Sequence, residues 1–208
     1  MEIKYFTIFV KNILINKLMS TTLYSFDFDD TLCHTILPEP GKSIWLEKTG
    51  TQWPYRGWWS KSETIDPDIF ETPKNDWVYE EYLNASKDTD SLRILATGRL
   101  QKVPIMRENI EKIINRHNLS FDEIWVIESN DELQKGNGKN GIYLNWGGDT
   151  FDFKTTLFEK LINITNCEHF VMYDDRQEHL IRFEEWALTQ NCKVTIVDVV
   201  NKQKITVN

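Results

Sequence analysis

The sequence predicts an α/β domain: a three-layer sandwich with a mostly parallel sheet, and a small tryptophan-rich lid inserted after the first strand. Three observations predict it. Short apolar runs alternate with stretches of helical periodicity, the pattern left when parallel strands are joined through helices that cover both faces of a sheet. Three of those runs end in residues able to do chemistry, namely Asp27, Thr97 and the pair Asp174–Asp175. The stretch Leu32–Asp90 breaks the alternation and holds five of the six prolines together with Trp45, Trp53, Trp58, Trp59 and Trp77, five of the eight tryptophans. It is too long for an ordinary connection, so it reads as a lid over the strand ends.

The elements follow in order. Leu23–Phe26 reads as a buried strand ending at Asp27, and Leu92–Ala96 as a second, ending at Thr97-Gly98-Arg99. Residues 104–118 carry Ile105, Ile110, Ile113 and Ile114 at helical spacing. Glu123–Ile127 is a third strand and Gly141–Trp146 a short fourth, after a turn-rich loop over 130–140. A helix over 153–164 places Leu157, Phe158, Leu161 and Ile162 on one face. His169–Tyr173 is a strand ending at Asp174, residues 180–188 form a helix, and Val194–Val200 is the last strand. Residues 19–208 are read as one domain with 33–90 as its lid. The apolar stretch from Tyr5 to Ile15 is broken by Lys11 and flanked by Lys4 and Lys17, so no run approaches the ~20 residues of a membrane span. Residues 1–18 are read either as an extension upstream of a start at Met19 or as an extra helix or edge strand.

Composition narrows the function classes. A net charge of −8 does not suit a protein that grips long nucleic acid over a basic face, though a local basic pocket can still take a nucleic-acid end or a small phosphate ester. Cys33, Cys167 and Cys192 are odd in number and match no metal spacing, so they read as free thiols in a reducing, cytoplasmic compartment.

Asp27 and Asp29 sit two residues apart just past a strand. If the chain turns there, one carboxylate can attack phosphorus and form an aspartyl-phosphate, while the other exchanges protons with the leaving oxygen and with water. Phosphoryl transfer also needs charge neutralisation, usually by magnesium held on carboxylates. The pair alone is weak. Its company is stronger: Asp27-Phe28-Asp29-Asp30-Thr31, then Thr97, then Lys154 near a helix start, then Asp174-Asp175, in that order. This series resembles the four motifs of the haloacid dehalogenase-like (HAD) hydrolases, mostly phosphatases with a Rossmann-like fold. The resemblance implies Asp27 as nucleophile and Asp29 as general acid/base. It implies Thr97 and Lys154 as phosphoryl and charge-stabilising groups. A Mg²⁺ site would be built from Asp27, the Asp29 backbone carbonyl, and Asp175 or Asp174. Lys139 and Lys160 are the fallback lysines. Within that superfamily, Gly57-Trp58-Trp59, Thr97-Gly98-Arg99 and Asp174-Asp175-Arg176 look like the HAD domain of Swiss Army Knife RNA repair proteins. That implies a phosphatase acting on nucleic-acid ends, with Gly98, Arg99, Trp58, Trp59 and Arg176 touching substrate. Arg99 reads as the better phosphate ligand and Arg176 as a partner for the aspartate pair. His34 and His179 read as surface or structural residues. A small-molecule or nucleotide phosphatase and a catalytically silent binding module on the same fold are the rival readings, and the intact set Asp27, Asp29, Thr97 and Lys154 weighs against the last.

Overall fold

The computed structural model describes residues 22–101, 105–129, 134–137, 143–145 and 149–208. The expectations for residues 1–18, Met19 and Lys139 fall outside them. Eight described strands form one sheet in the order β5-β4-β3-β2-β1-β6-β7-β8. They are β1 (Thr22–Phe26), β2 (Leu92–Gln101), β3 (Glu123–Ser129), β4 (Gln134–Asn137), β5 (Tyr143–Asn145), β6 (His169–Asp174), β7 (Lys193–Asp198) and β8 (Gln203–Val207). The five central strands are parallel, and the outer pairs β3–β4, β4–β5 and β7–β8 are antiparallel.

Helices cover both faces. On one, α4 (Thr150–Thr165) and α5 (Gln177–Ala187) pack Phe153, Leu157, Phe158, Phe183 and Trp186 against Leu23, Ile94, Phe170 and Ile196. On the other, α2 (Asp76–Ser86) and α3 (Ile105–Arg116) bring Val78, Tyr82, Ile110 and Ile113 onto Phe26, Leu95, Ile124 and Val197. Successive strand residues point to opposite faces, so β1 feeds Leu23 into one cluster and Phe26 into the other. This is the three-layer α/β class expected from the sequence.

Strand order places the site. The chain moves from β1 to β2 and β3 on one side, then returns to β6 on the other side of β1. The direction of winding therefore reverses at β1, and beyond the carboxyl ends of the strands at such a point the loops part and leave a crevice.

Three readings change. Residues 76–90 were expected in the lid, but α2 is the crossover helix between β1 and β2, and Tyr82 packs edge-on against Phe26 with ring centres 5.8 Å apart. The lid is a narrower excursion. Its two ends are tied at a neck where the His34 N–H donates to the Pro73 carbonyl at 2.8 Å and the Asn75 N–H to the Leu32 carbonyl at 3.0 Å. Asn75 caps α2, its side chain accepting from the Val78 N–H, and so separates lid from crossover. Strand β4 lies where a loop was expected, and β8 was not foreseen. Both are antiparallel strands rich in polar residues, β8 at one edge of the sheet and β4 next to the other, defined by ladder hydrogen bonds rather than by an apolar pattern.

Within the lid, α1 (Pro38–Thr49) runs over a small aromatic core of its own. Trp53 meets Trp45, Tyr55 and Trp58 at 5.0, 5.1 and 4.7 Å, and Trp58 meets Phe70 at 5.9 Å. Helix α1 approaches so closely that a Cβ on Gly41 would lie 2.2 Å from the Trp58 ring. Gly41→Ala therefore must move α1 or the indole, and is expected to destabilise the protein by about 1–3 kcal/mol, read as a lowered urea midpoint and a shifted tryptophan emission.

Candidate active site

The parallel pairing of β1 and β6 extends one step past Phe26, because the Asp27 N–H donates to the Tyr173 carbonyl at 3.1 Å. The chain then folds tightly. The N–H groups of Leu32 and Cys33 both donate to the Phe28 carbonyl, and Asp30 adopts a left-handed φ of 50°, which Asp tolerates better than most residues. Phe28 is fully buried as the anchor of this turn, so Asp27 and Asp29 flank it and line one cleft.

That cleft has a volume of about 200 Å³ and is lined by Asp27, Asp29, Asp30, Trp59, Thr97, Gly98, Arg99, Asp175 and Arg176. Strand β2 contributes through a break in its register between Ala96 and Leu100, where Thr97, Gly98 and Arg99 leave the regular ladder. Thr97 is fully buried, and its Oγ1 accepts from the Arg99 N–H at 3.2 Å, leaving the hydroxyl proton for a ligand oxygen. A Cβ on Gly98 would come within 2.5 Å of the Thr150 side chain, so only glycine lets β2 pass the first turn of α4 this closely.

That first turn is pinned by a capping box. The Asp152 N–H donates to the Asp149 carboxylate at 3.0 Å and the Asp149 N–H to the Asp152 carboxylate at 3.2 Å. One turn on, Lys154 is buried, with its Nζ 2.6 Å from Asp174 Oδ2 and 3.2 Å from Asp27 Oδ1. The contact with Asp174 is a hydrogen bond. The contact with Asp27 is a looser ion pair, and among the described residues the buried Asp27 Oδ1 has no better-aligned donor. Asp174 is further held by the Arg176 N–H at 3.0 Å, while Asp175 accepts a long side-chain bond of 3.3 Å from Thr31.

Asp27, Asp174 and Asp175 each bring a carboxylate oxygen within 4.8 Å of the others. Three hard, anionic oxygen donors gathered this closely suit a cation such as Mg²⁺ or Ca²⁺ rather than a thiophilic metal. The electrostatics agree. Burial pushes the Asp27 carboxyl up to about 7, Lys154 opposes the rise, and Asp174, Asp175 and Asp29 add to it. Burial, then Asp174, pushes Asp175 up to about 6. Burial works against charge on Lys154, yet Asp174 and Asp27 together hold its ammonium above the usual lysine range.

The remaining expected residues divide. Trp59 is 44% exposed at the rim. Trp58 turns inward, its indole N–H donating to the Ile36 carbonyl at 3.1 Å, and does not line the cleft. Arg99 lines the cleft but is nearly buried, with its guanidinium on Asp29 rather than open to a ligand. Arg176 is exposed at the rim and its N–H bonds Asp174, so among the described residues the one of these two arginines whose side chain pairs with an aspartate is Arg99, where Arg176 was expected. Lys160 and His34 are exposed, and His179 is packed against Phe151 and Phe183. Thr35 and Thr64, which hold Asp29 and Arg99 at 2.8 and 2.7 Å, were not anticipated. Each is a common surface residue type whose partner is distant in sequence or lies across a turn.

A family model described as HAD domain family 1 in Swiss Army Knife RNA repair proteins matches residues 38–207. The chain belongs to this family. The match begins after the Asp27–Thr31 turn and covers Thr97, Lys154 and the Asp174–Asp175 pair. A solved chain from the Pnkp1/Rnl/Hen1 complex has the same fold, with a TM-score of 0.50 and 17% identity over 86% of this chain. The HAD domain spans 45% of that longer chain. No curated relative matches. Among the described residues no helix is long and apolar enough to cross a membrane.

Three carboxylates around one ammonium should strain the metal-free protein. An acid whose pKa is raised on folding binds more protons in the folded than in the unfolded state between the two values. Its contribution therefore falls as pH rises, here from about 4 to about 7. Asp27→Asn is expected to raise Tm in chelator at pH 8, with the gain shrinking toward pH 5. No gain at pH 8 would contradict the charge crowding. Lys154→Met is expected to lower stability by about 3–5 kcal/mol, since it strands buried carboxylates.

Proposed function

We propose that the protein is a magnesium-dependent phosphomonoesterase that works through an aspartyl-phosphate on Asp27 and removes the terminal phosphate from RNA or another nucleic-acid end. The observation that carries this reading is the meeting of Asp27, Thr97 and Asp175 at one small cleft, with the Lys154 ammonium 3.2 Å behind the Asp27 carboxylate.

Asp27 attacks phosphorus. As its oxygen bonds to phosphorus, the ester bond breaks and its electron pair passes to the leaving oxygen, which takes a proton from Asp29. Asp29 then draws a proton from water, the water oxygen bonds to phosphorus, and the bond to Asp27 breaks to give phosphate and free carboxylate. Thr97 donates its hydroxyl to a phosphoryl oxygen, and Lys154 balances the charge that builds near Asp27. Magnesium on Asp27, Asp175, Asp174 and the Asp29 carbonyl would supply charge neutralisation where phosphate meets carboxylate. Asp175 is the less committed member of its pair and the better ligand, because Asp174 already serves Lys154 and the Arg176 N–H.

The substrate reading has three supports. The family is named for RNA repair proteins. A cleft of about 200 Å³ lies below the ~300–1,000 Å³ of sites that enclose a whole small ligand, which favours an end presented from outside. At its rim stand Trp59, half exposed and able to stack on a base, and the exposed Arg176, able to meet a phosphate.

The test is phosphate release from 3′- or 5′-phosphorylated RNA oligonucleotides, mononucleotides and p-nitrophenyl phosphate with Mg²⁺. Oligonucleotides are expected to be preferred. Chelation should abolish release, and Asp27→Asn should lower kcat by at least ~10³-fold. Trp59→Ala should raise KM about tenfold for oligonucleotides and less for mononucleotides. Turnover of mononucleotides but not oligonucleotides would defeat the nucleic-acid end, and no release from any substrate would defeat the enzyme.

A further inference from the structure

Arg99 joins two parts of the site that are far apart in sequence. Its Nε lies 3.0 and 2.9 Å from the two oxygens of Asp29, and its Nη2 lies 2.6 Å from Oδ1. Thr35 donates to the same Oδ1 at 2.8 Å. Among the described residues Oδ1 therefore takes three donors, whereas Oδ2 takes the Nε of Arg99 alone and is the oxygen left with capacity for a proton. The other arm reaches into the lid. Nη1 donates to the Thr64 hydroxyl at 2.7 Å, in the short 3₁₀ turn Ser62–Ile65, and grazes the Trp59 carbonyl at 3.5 Å. The guanidinium carbon is 5.6 Å from the centre of the Trp59 ring, at the outer range of a cation–π contact. The side chain is only 2% exposed, so a phosphate could reach it only by displacing these partners.

We propose that Arg99 is a positioning residue rather than a phosphate ligand: it couples the docking of the lid, through Thr64 and Trp59, to the orientation of the Asp29 carboxylate. Its planar fork fixes which oxygen of Asp29 faces the cleft. The lid in turn fixes the fork, because Thr64 is itself anchored by donating to the Lys61 carbonyl at 2.7 Å. An end that packs on Trp59 would press the lid down over the same guanidinium. Asp29 would then stand ready to protonate a leaving oxygen only when the lid is seated. A lysine cannot replace this arginine, since a point charge does not bridge two acceptors in a plane.

The proposal rests on the phosphatase reading for Asp29, and leaving-group chemistry separates it from a merely structural role. Proton donation matters for a poor leaving group such as an alkyl alcohol, and little for p-nitrophenol. Arg99→Lys retains the charge and Thr64→Val removes only the lid arm, so both should fold. With alkyl phosphates, Arg99→Lys is expected to lower kcat about 100-fold and Thr64→Val about tenfold. On p-nitrophenyl phosphate each loss should be roughly ten times smaller, with KM moving less than kcat. Hydrogen exchange should also quicken at lid amides 57–66 in both variants. Equal losses on the two esters would overturn the proposal. If the wild-type protein releases no phosphate from any ester, the phosphatase reading falls, and the exchange arm still decides the coupling: unchanged protection of 57–66 in both variants would overturn it.

Discussion

A lysine ammonium with almost no exposure sits at the carboxyl ends of β1 and β6. Removing such a charge from water costs several kcal/mol unless opposite charge meets it at close range. Asp174 at 2.6 Å and Asp27 at 3.2 Å meet that need, and the fold is arranged so that they can. The strand ends are locked together by the bond from the Asp27 N–H to Tyr173, and the stacked rings of Phe26 and Tyr173, 4.5 Å apart, set their spacing from below. The lysine arrives from the other direction, on a helix whose first turn is fixed by a capping box and by the close passage of Gly98. Shift any of these and a buried charge loses its partner.

The same arrangement leaves a surplus. Lys154 offers one positive charge to a group of three carboxylates, and Asp175 lies at the open side with a long bond from Thr31. Excess negative charge in a half-buried cleft repels a phosphate dianion and attracts a hard cation. Stability and ligand preference are thus two sides of one electrostatic imbalance, and burial first, then the neighbouring carboxylates, raise the pKa values of Asp27 and Asp175 together.

The lid follows different rules. Its tryptophans hold one another, with Trp53 central and Trp58 buried beneath α1, so the lid has a core of its own beside that of the domain. Its link to the chemistry passes through polar contacts at Arg99 and through Trp59, the indole left facing outward. Adjacent tryptophans therefore have opposite fates, one structural and one at the rim.

Periodicity made the central strands and three of the helices legible, because apolar faces must be buried at fixed spacings. Chain order made Asp27, Thr97, Lys154 and the Asp174–Asp175 pair legible, because their residue types fall at the ends of predicted strands or at a helix start. Helix α2 and two outer strands were hidden: α2 lay inside a proline- and tryptophan-rich stretch, and β4 and β8 are polar strands that exist through ladder bonding to their neighbours. The partners of the two arginines were hidden for a related reason. Arg99 and Arg176 each adjoin a motif residue and look alike along the chain, but strand order and the path of the lid bury one against Asp29 and leave the other in solvent. Residue type and spacing determined what chemistry this chain carries. Only the tertiary structure decided which charges neutralise one another and which remain for a ligand, because that depends on distances between segments tens of residues apart.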